Sequence, residues 1–182
     1  MKDLKLNLFK STLLLVAAAS MGVSQFSLAD TQLNIKGTIK ASPCTVDTPS
    51  SSGITVDLGD NIQASTLATP KSGSEWVPVP IRLKDCPPTT SAVMATFAGT
   101  PATEETDLYA NTTAAGAATL VQIELADSAN EARMGNGKSM AQPVSSATND
   151  ATFNLKARAY SSAGGATPGD IVGTVQVSFT YE

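Results

Sequence analysis

Hydrophobic and polar positions alternate most cleanly at the two ends of the chain. Towards the C-terminus, Ile171, Gly173, Val175, Val177, Phe179 and Tyr181 interleave with Thr174, Gln176, Ser178, Thr180 and Glu182. Period two with β-branched and aromatic residues predicts a strand with one buried face over residues 171–181. A strand this apolar needs a neighbour on each flank, or its free backbone edge invites unwanted pairing. The sequence ends at Glu182, so the expectation is that the second flank is covered from earlier in the chain or by another molecule. In residues 30–40, Leu33, Ile35, Gly37 and Ile39 alternate with Gln32, Asn34, Lys36, Thr38 and Lys40. This second strand pattern fits an ordinary first strand of the same domain, or a segment that pairs elsewhere.

Short strand patterns fill the space between. They fall at residues 45–46 and 54–58, around a Ser-rich turn, and then at 76–83, 92–98, 119–126, 139–144 and 151–160. In residues 76–83 the apolar face is Val77, Val79, Ile81 and Leu83, while Pro78 and Pro80 sit on the other phase. Proline cannot donate to a ladder, so part of this strand is expected to have an open edge. Gly59-Asp60-Asn61 and residues 127–137 and 161–168 read as turns and loops. Short strands separated by turn signals roughly every 8–15 residues predict an all-β sandwich of immunoglobulin type, with no helix, repeat or interdomain linker.

The N-terminus changes the domain count. Lys2, Lys5 and Lys10 precede a short apolar run at residues 13–19, and Ser27-Leu28-Ala29 has the small–x–small pattern of a cleavage site. These features predict a secretory signal peptide over residues 1–29; a retained membrane anchor is the alternative reading. Removing 29 of 182 residues leaves 153, one ordinary domain. The signal carries three lysines and one aspartate, so formal net charge moves from −4 to −6. An acidic surface without basic clusters argues against nucleic acid as a partner. In an exported chain two cysteines, Cys44 and Cys86, read as one bridge rather than two free thiols, and one bridge has one connectivity.

Candidate chemistry is sparse. The chain contains no histidine. Ser-His-Asp and Cys-His constellations and most zinc sites are therefore excluded, and no metal or cofactor is expected. Asp57, Asp60, Asp85, Glu104, Glu105 and Asp107 fall where acidic residues serve as solvated turn formers rather than as an acid/base pair. Asn111-Thr112-Thr113 matches a glycosylation sequon, which matters only in a eukaryotic secretory pathway. Trp76 opens an alternating strand, which favours partial burial over a sugar-stacking role. Gly164-Gly165 lacks the strand–glycine–helix context of a phosphate cradle. The sequence is poor in chemistry and rich in pairing surfaces.

Several of these features together resemble the pilin subunits of chaperone–usher fimbriae. They are the arm Leu33-x-Ile35-x-Gly37-x-Ile39, Cys44 just after it with Cys86 further on, Gly169, the alternating apolar residues to Phe179, and Tyr181 next to the end. The phrases Lys-Ala-Ser-Pro-Cys-Thr-Val and Val-Asp-Leu-Gly-Asp look most like minor, adaptor-type subunits of type 1 fimbriae. The resemblance implies a non-enzymatic, exported subunit that ends up in an extracellular surface fimbrium. It implies an incomplete immunoglobulin-like β-sandwich lacking its last strand, with residues 30–42 as a free N-terminal extension and 43–182 as the subunit domain. Its partners would be a periplasmic chaperone, an outer-membrane usher and neighbouring pilins joined head to tail. Leu33, Ile35 and Ile39 would fill pockets in a neighbour, with Gly37 at a shallow point. Gly169, Ile171, Val175, Val177, Phe179 and Tyr181 would line the chain's own groove, and the carboxylate of Glu182 would meet the chaperone's basic cleft. A major shaft pilin and a carbohydrate-binding tip adhesin are the alternative placements.

Overall fold

The computed structural model describes residues 34–40, 42–48 and 53–182. The expected signal peptide and Leu33 lie outside the described residues. The chain divides into two compact units, residues 1–37 and 38–182. In the first, Asn34, Ile35, Lys36 and Gly37 form neither strand nor helix, and Ile35 is exposed. In the second unit every pairing between the named strands is antiparallel.

Its larger sheet holds β1 (Thr45–Asp47), β2 (Ser72–Gly73), β3 (Val77–Lys84), β5 (Tyr109–Ala110), β6 (Gln122–Asp127) and β8 (Ala151–Ser161). The order is β1-β3-β8-β6-β5, with β2 also against β8. Three strands make the smaller sheet: β7 (Ser139–Pro143), β4 (Ala92–Gly99) and β9 (Val175–Tyr181), with β4 in the middle. A single 3-10 turn, Ala64–Leu67, departs from the all-β expectation.

The core forms where the alternating faces of the two sheets meet. Val79, Ile81 and Leu83 of β3 and Phe153 and Leu155 of β8 face Val93, Ala95 and Phe97 of β4, and all are buried. Cys44 and Cys86 are bridged beside this core. Closing a loop of 42 residues removes about 4 kcal/mol of unfolded-chain entropy in the chain-entropy account. The prolines of β3 behave as their phase implies. β1 runs only alongside Arg82, Leu83 and Lys84, so the flank of β3 beside Pro78 and Pro80 has no ladder partner among the described residues.

Several strand expectations need correction, and most fail for want of a backbone partner. Residues 34–40, for which the sequence offers either a first strand of this domain or a segment that pairs elsewhere, form no strand within this chain. Residues 54–58 are likewise unpaired. The C-terminal strand begins at Val175 rather than Ile171, because its neighbour β4 ends at the pair Gly99–Val175. The strand expected from residue 119 begins instead at Gln122, since Leu120 adopts φ 57°. β2 and β5, two residues each, are too short to show in the pattern.

The larger sheet closes its outer face with charge rather than with a second layer. Glu124 is 4% exposed and accepts from Nε of Arg133 and Nε of Arg158, both at 2.7 Å. Arg133 also pairs with Glu105. Burial disfavours the charge on Arg133, but the hydrogen bonds to Glu124 and Glu105 outweigh it and raise its pKa. Arg158 lies over the rings of Trp76 and Tyr160, at 4.1 and 5.3 Å, and Lys156 sits 4.5 Å from the Trp76 centroid. Trp76 is thus half-buried under two cations.

Tyr109 joins the larger sheet to the core. Its ring is 1% exposed and its hydroxyl donates to the Met134 carbonyl at 2.7 Å. Burial pushes its phenol up to about 12. A neutral form favoured by folding contributes stability that is complete below the unfolded value near 10 and is lost as pH rises through 12. Ultraviolet titration should show one phenol ionising last, and Tyr109→Phe should remove that late step. A late step that persists in the variant would assign it elsewhere.

Candidate functional site: an apolar groove beside the last strand

Every apolar residue of β9 is only half-buried. Its pattern is half-buried at Val175, Val177, Phe179 and Tyr181 and exposed at Gln176, Ser178 and Thr180. The apolar positions of β8, by contrast, are fully buried along the same core. β9 therefore presents a hydrophobic face over the core without a lid across it. Its ladder with β4 occupies one flank, and the other has no ladder partner among the described residues.

A groove of about 1230 Å³ runs along that open flank. One wall is Ile171, Val175, Val177 and Phe179; the facing wall is Ile54, Val56 and Leu58, with Val46 beside them. Val79, Ile81, Phe97, Leu125 and Leu155 form the floor. The volume exceeds the roughly 300–1000 Å³ of ordinary small-molecule pockets. Its lining from Ile171 to Phe179 spans at most about 26 Å at the strand rise of about 3.3 Å per residue. This shape suits an extended chain better than a compact ligand.

The two edges of the smaller sheet differ in how they are guarded. Lys138 precedes β7 and Pro143 ends it, and both charge and proline discourage further pairing. β9 carries no charged residue and no proline from Val175 to Tyr181. Its free edge is open to a further strand.

The groove crosses two hydrophobic clusters. Val175, Val177 and Phe179 rest on the main core, and Phe179 lies 5.8 Å from Phe153, ring to ring. Ile171 belongs instead to a smaller cluster with Leu67, Ala118, Val121 and Ala166, joined by Ile62. Gly173 lies between the two ends, and a Cβ there would clash with Cδ1 of Ile123.

Gly169 enables the turn into this wall. Its φ is +155°, and a Cβ would overlap the backbone of Gly116, Ala117 and Ala118. Of the residues that the sequence assigns to the groove, Gly169, Ile171, Val175, Val177 and Phe179 line it together. Tyr181 and Glu182 lie outside that lining. Tyr181 is half-buried against the main core. Its phenol is raised by burial, with a hydrogen bond at the Cys44 backbone acting in the opposite sense. Glu182 continues the ladder: its carbonyl accepts from Ser91 N–H at 2.7 Å and its N–H donates to the Ala92 carbonyl at 3.0 Å.

Sequence reasoning does not find the facing wall, because it reads the alternation of Ile54, Val56 and Leu58 as a paired strand. That same alternation is the available signal for a wall. The carboxylates take up turn and pairing roles. Asp57 accepts from Gly59 N–H, Asp60 from Asn61, Glu104 from Gln122, and Glu105 pairs with Arg133.

Comparison with known proteins points to one family. The family model described as "Fimbrial protein" matches residues 33–182. The chain is 35% identical to the uncharacterized fimbrial-like protein YdeR of Escherichia coli K12, over 93% of this chain and 95% of that protein. It is 33% identical to Protein FimG of the same strain, over 92% of this chain and 94% of that protein. Among solved structures, the P pilus rod subunit PapA superposes with TM-score 0.61 at 18% identity, covering 78% of this chain and all of that one.

Gly169→Val should disrupt the groove wall, because the clash is with backbone that cannot move aside. Urea unfolding should show a loss of more than about 2 kcal/mol, within the range for strained backbone and overpacking. Gly173→Ala meets only the tip of a flexible isoleucine and should cost less. Equal midpoints for Gly169→Val and the unsubstituted protein would refute the close-approach account.

Proposed function

The chain belongs to the fimbrial protein family, as an exported, non-enzymatic structural subunit of chaperone–usher surface fimbriae; we propose that it polymerises by strand exchange. In this reading the groove beside β9 accepts the N-terminal arm of a neighbouring subunit, and residues 33–39 of this chain enter the groove of another. Before assembly the periplasmic chaperone occupies the same edge, and the usher is where one strand replaces the other. The observation that carries the reading is the half-buried apolar face of β9 with an unpaired, unguarded flank.

The arm supports it from its own side. Ile35 and Ile39 are exposed, and residues 34–40 form no strand. From Leu33 to Ile39 an extended arm reaches roughly 20 Å at the strand rise, short enough for the groove. Burying each of Leu33, Ile35 and Ile39 is worth about 1.5–3 kcal/mol. Ordering the arm's backbone costs about 1–2 kcal/mol per residue. Apolar burial alone does not clearly win, so the ladder bonds to β9 are needed as well, at about 1 kcal/mol each. One arm and one groove on different parts of each subunit make a heterologous contact that does not close, which yields a fibre.

Deleting residues 30–40 should leave a subunit that still forms a chaperone complex but no longer attaches to the subunit ahead of it. Gly37 separates assembly from folding: nothing lies within 4 Å of a Cβ built there. Gly37→Leu should therefore leave the stability of the subunit unchanged and slow or block its incorporation. Fibres of normal length with either variant would defeat the proposal.

We place the chain among minor, adaptor-type subunits, on the strength of the phrases around Cys44 and at residues 56–60. The relative named as a major fimbrial subunit, SMF-1 of Stenotrophomonas maltophilia, is 29% identical, below the 33% of FimG. Immunogold labelling of intact fimbriae should mark sparse positions near the tip; dense labelling along the shaft would make it a major pilin instead.

A further inference from the structure

The neighbour of the last strand changes at Gly99. β4 pairs with β9 as far as Gly99–Val175, and beyond it the chain turns so that Pro101 bridges to Tyr109. The Tyr109 ring sits so near that a Cβ on Gly99 would meet it at 2.8 Å and the Thr174 carbonyl at 2.9 Å. Residues 170–173 therefore leave the β4 ladder while Ile171 still lines the groove over Leu67, Val121 and Ala166.

Asn111 takes over where β4 stops. Its Nδ2 donates to the carbonyls of Ala118 and Asp170, both at 2.9 Å, and its Oδ1 accepts from Val172 N–H at 2.7 Å. Two carbonyls on one side and an N–H on the other fix which end of the amide is nitrogen. Alongside, Thr112 N–H donates to the Val172 carbonyl at 2.9 Å. Asp170 is tied again to the same loop: its N–H donates to the Gly116 carbonyl at 2.8 Å and its carbonyl accepts from Ala118 N–H at 3.0 Å. One side chain thus joins three points: the loop at Ala118, the turn at Asp170 and the wall at Val172. Both amide hydrogens are in use, so the Asn-Thr-Thr sequon is occupied by backbone rather than free to carry a glycan.

We propose that Asn111 is a positioning residue for strand capture. It holds residues 170–172 in place so that Ile171 stays over its own compartment and the groove keeps its full length. The proposal rests on the reading of the groove as an acceptor for an arm. It makes the two ends of the groove separable: the end along β9 is held by β4, and the far end by Asn111 together with the backbone of Thr112, Gly116 and Ala118.

The test uses the mature chain refolded with a fluorescent peptide of residues 30–42, chased with unlabelled peptide. Asn111→Ala should release the peptide at least tenfold faster. Amide exchange should rise at residues 170–173 while residues 175–181 stay protected. Asn111→Asp keeps the size and the acceptor for Val172 but loses both donors, and should give the same local signature if the alanine variant does not fold. Unchanged release in either variant, or faster exchange spread evenly over both sheets, would overturn the positioning role. Failure of the unsubstituted chain to hold this peptide and the arm peptides of the other subunits of its fimbria would instead refute the groove reading, so the two failures are distinct.

Discussion

A β-strand buries its side chains at the cost of leaving two rows of backbone groups to be paired, and among the described residues only one row of the last strand has a ladder partner. β4 supplies that row, from Val93–Tyr181 to Gly99–Val175. The apolar face of β9 rests on the core without being sealed from solvent, because nothing described lies across the channel between it and residues 54–58. The turn at Gly169 lies on the border of that channel, and the hydrogen bonds of Asn111 reach the residues just after it. The fold is thus firm around a feature that is itself unfinished.

The two sheets solve the problem of the outer face in opposite ways. The larger sheet neutralises itself: Glu124 serves two guanidinium groups, and the cations lie over Trp76 and Tyr160. A buried carboxylate is tolerable only with such partners, and breaking one side of the arrangement would strand the charge. The smaller sheet contains no charged residue in β4, β7 or β9. Charge and proline are what natural edges use to refuse partners. They appear beside β7 and are missing from β9. On the proposed reading this asymmetry directs the next subunit to one edge only.

On the proposed reading, one groove and one arm at different places along the same chain also explain why the contact would extend rather than close. A subunit that filled its own groove would be complete and would stop. Residues 34–40 form no strand, and the exposed Ile35 and Ile39 have the alternation the groove could accept. The modest balance between apolar burial and ordering cost places much of the holding strength in the backbone ladder. On the proposed reading that ladder needs the wall held in place over its whole length, and Asn111 holds the part beyond the reach of β4.

Local alternation alone determined much of this protein. Residues 76–83, 92–98, 151–160 and the core of 171–181 could be read as strands because period-two alternation of apolar and polar positions reflects burial of one face. Cys44 and Cys86 could be paired because two cysteines allow one bridge. Tertiary structure alone decided which alternating segments obtain a partner. Residues 34–40 and 54–58 have the pattern of strands and are not strands, since a ladder is a property of two segments and the sequence of one cannot supply the other. The same holds for Asn111: its sequon is visible in three letters, but its grip on Ala118, Asp170 and Val172 exists only because β4 turns away at Gly99 and brings distant backbone to one amide.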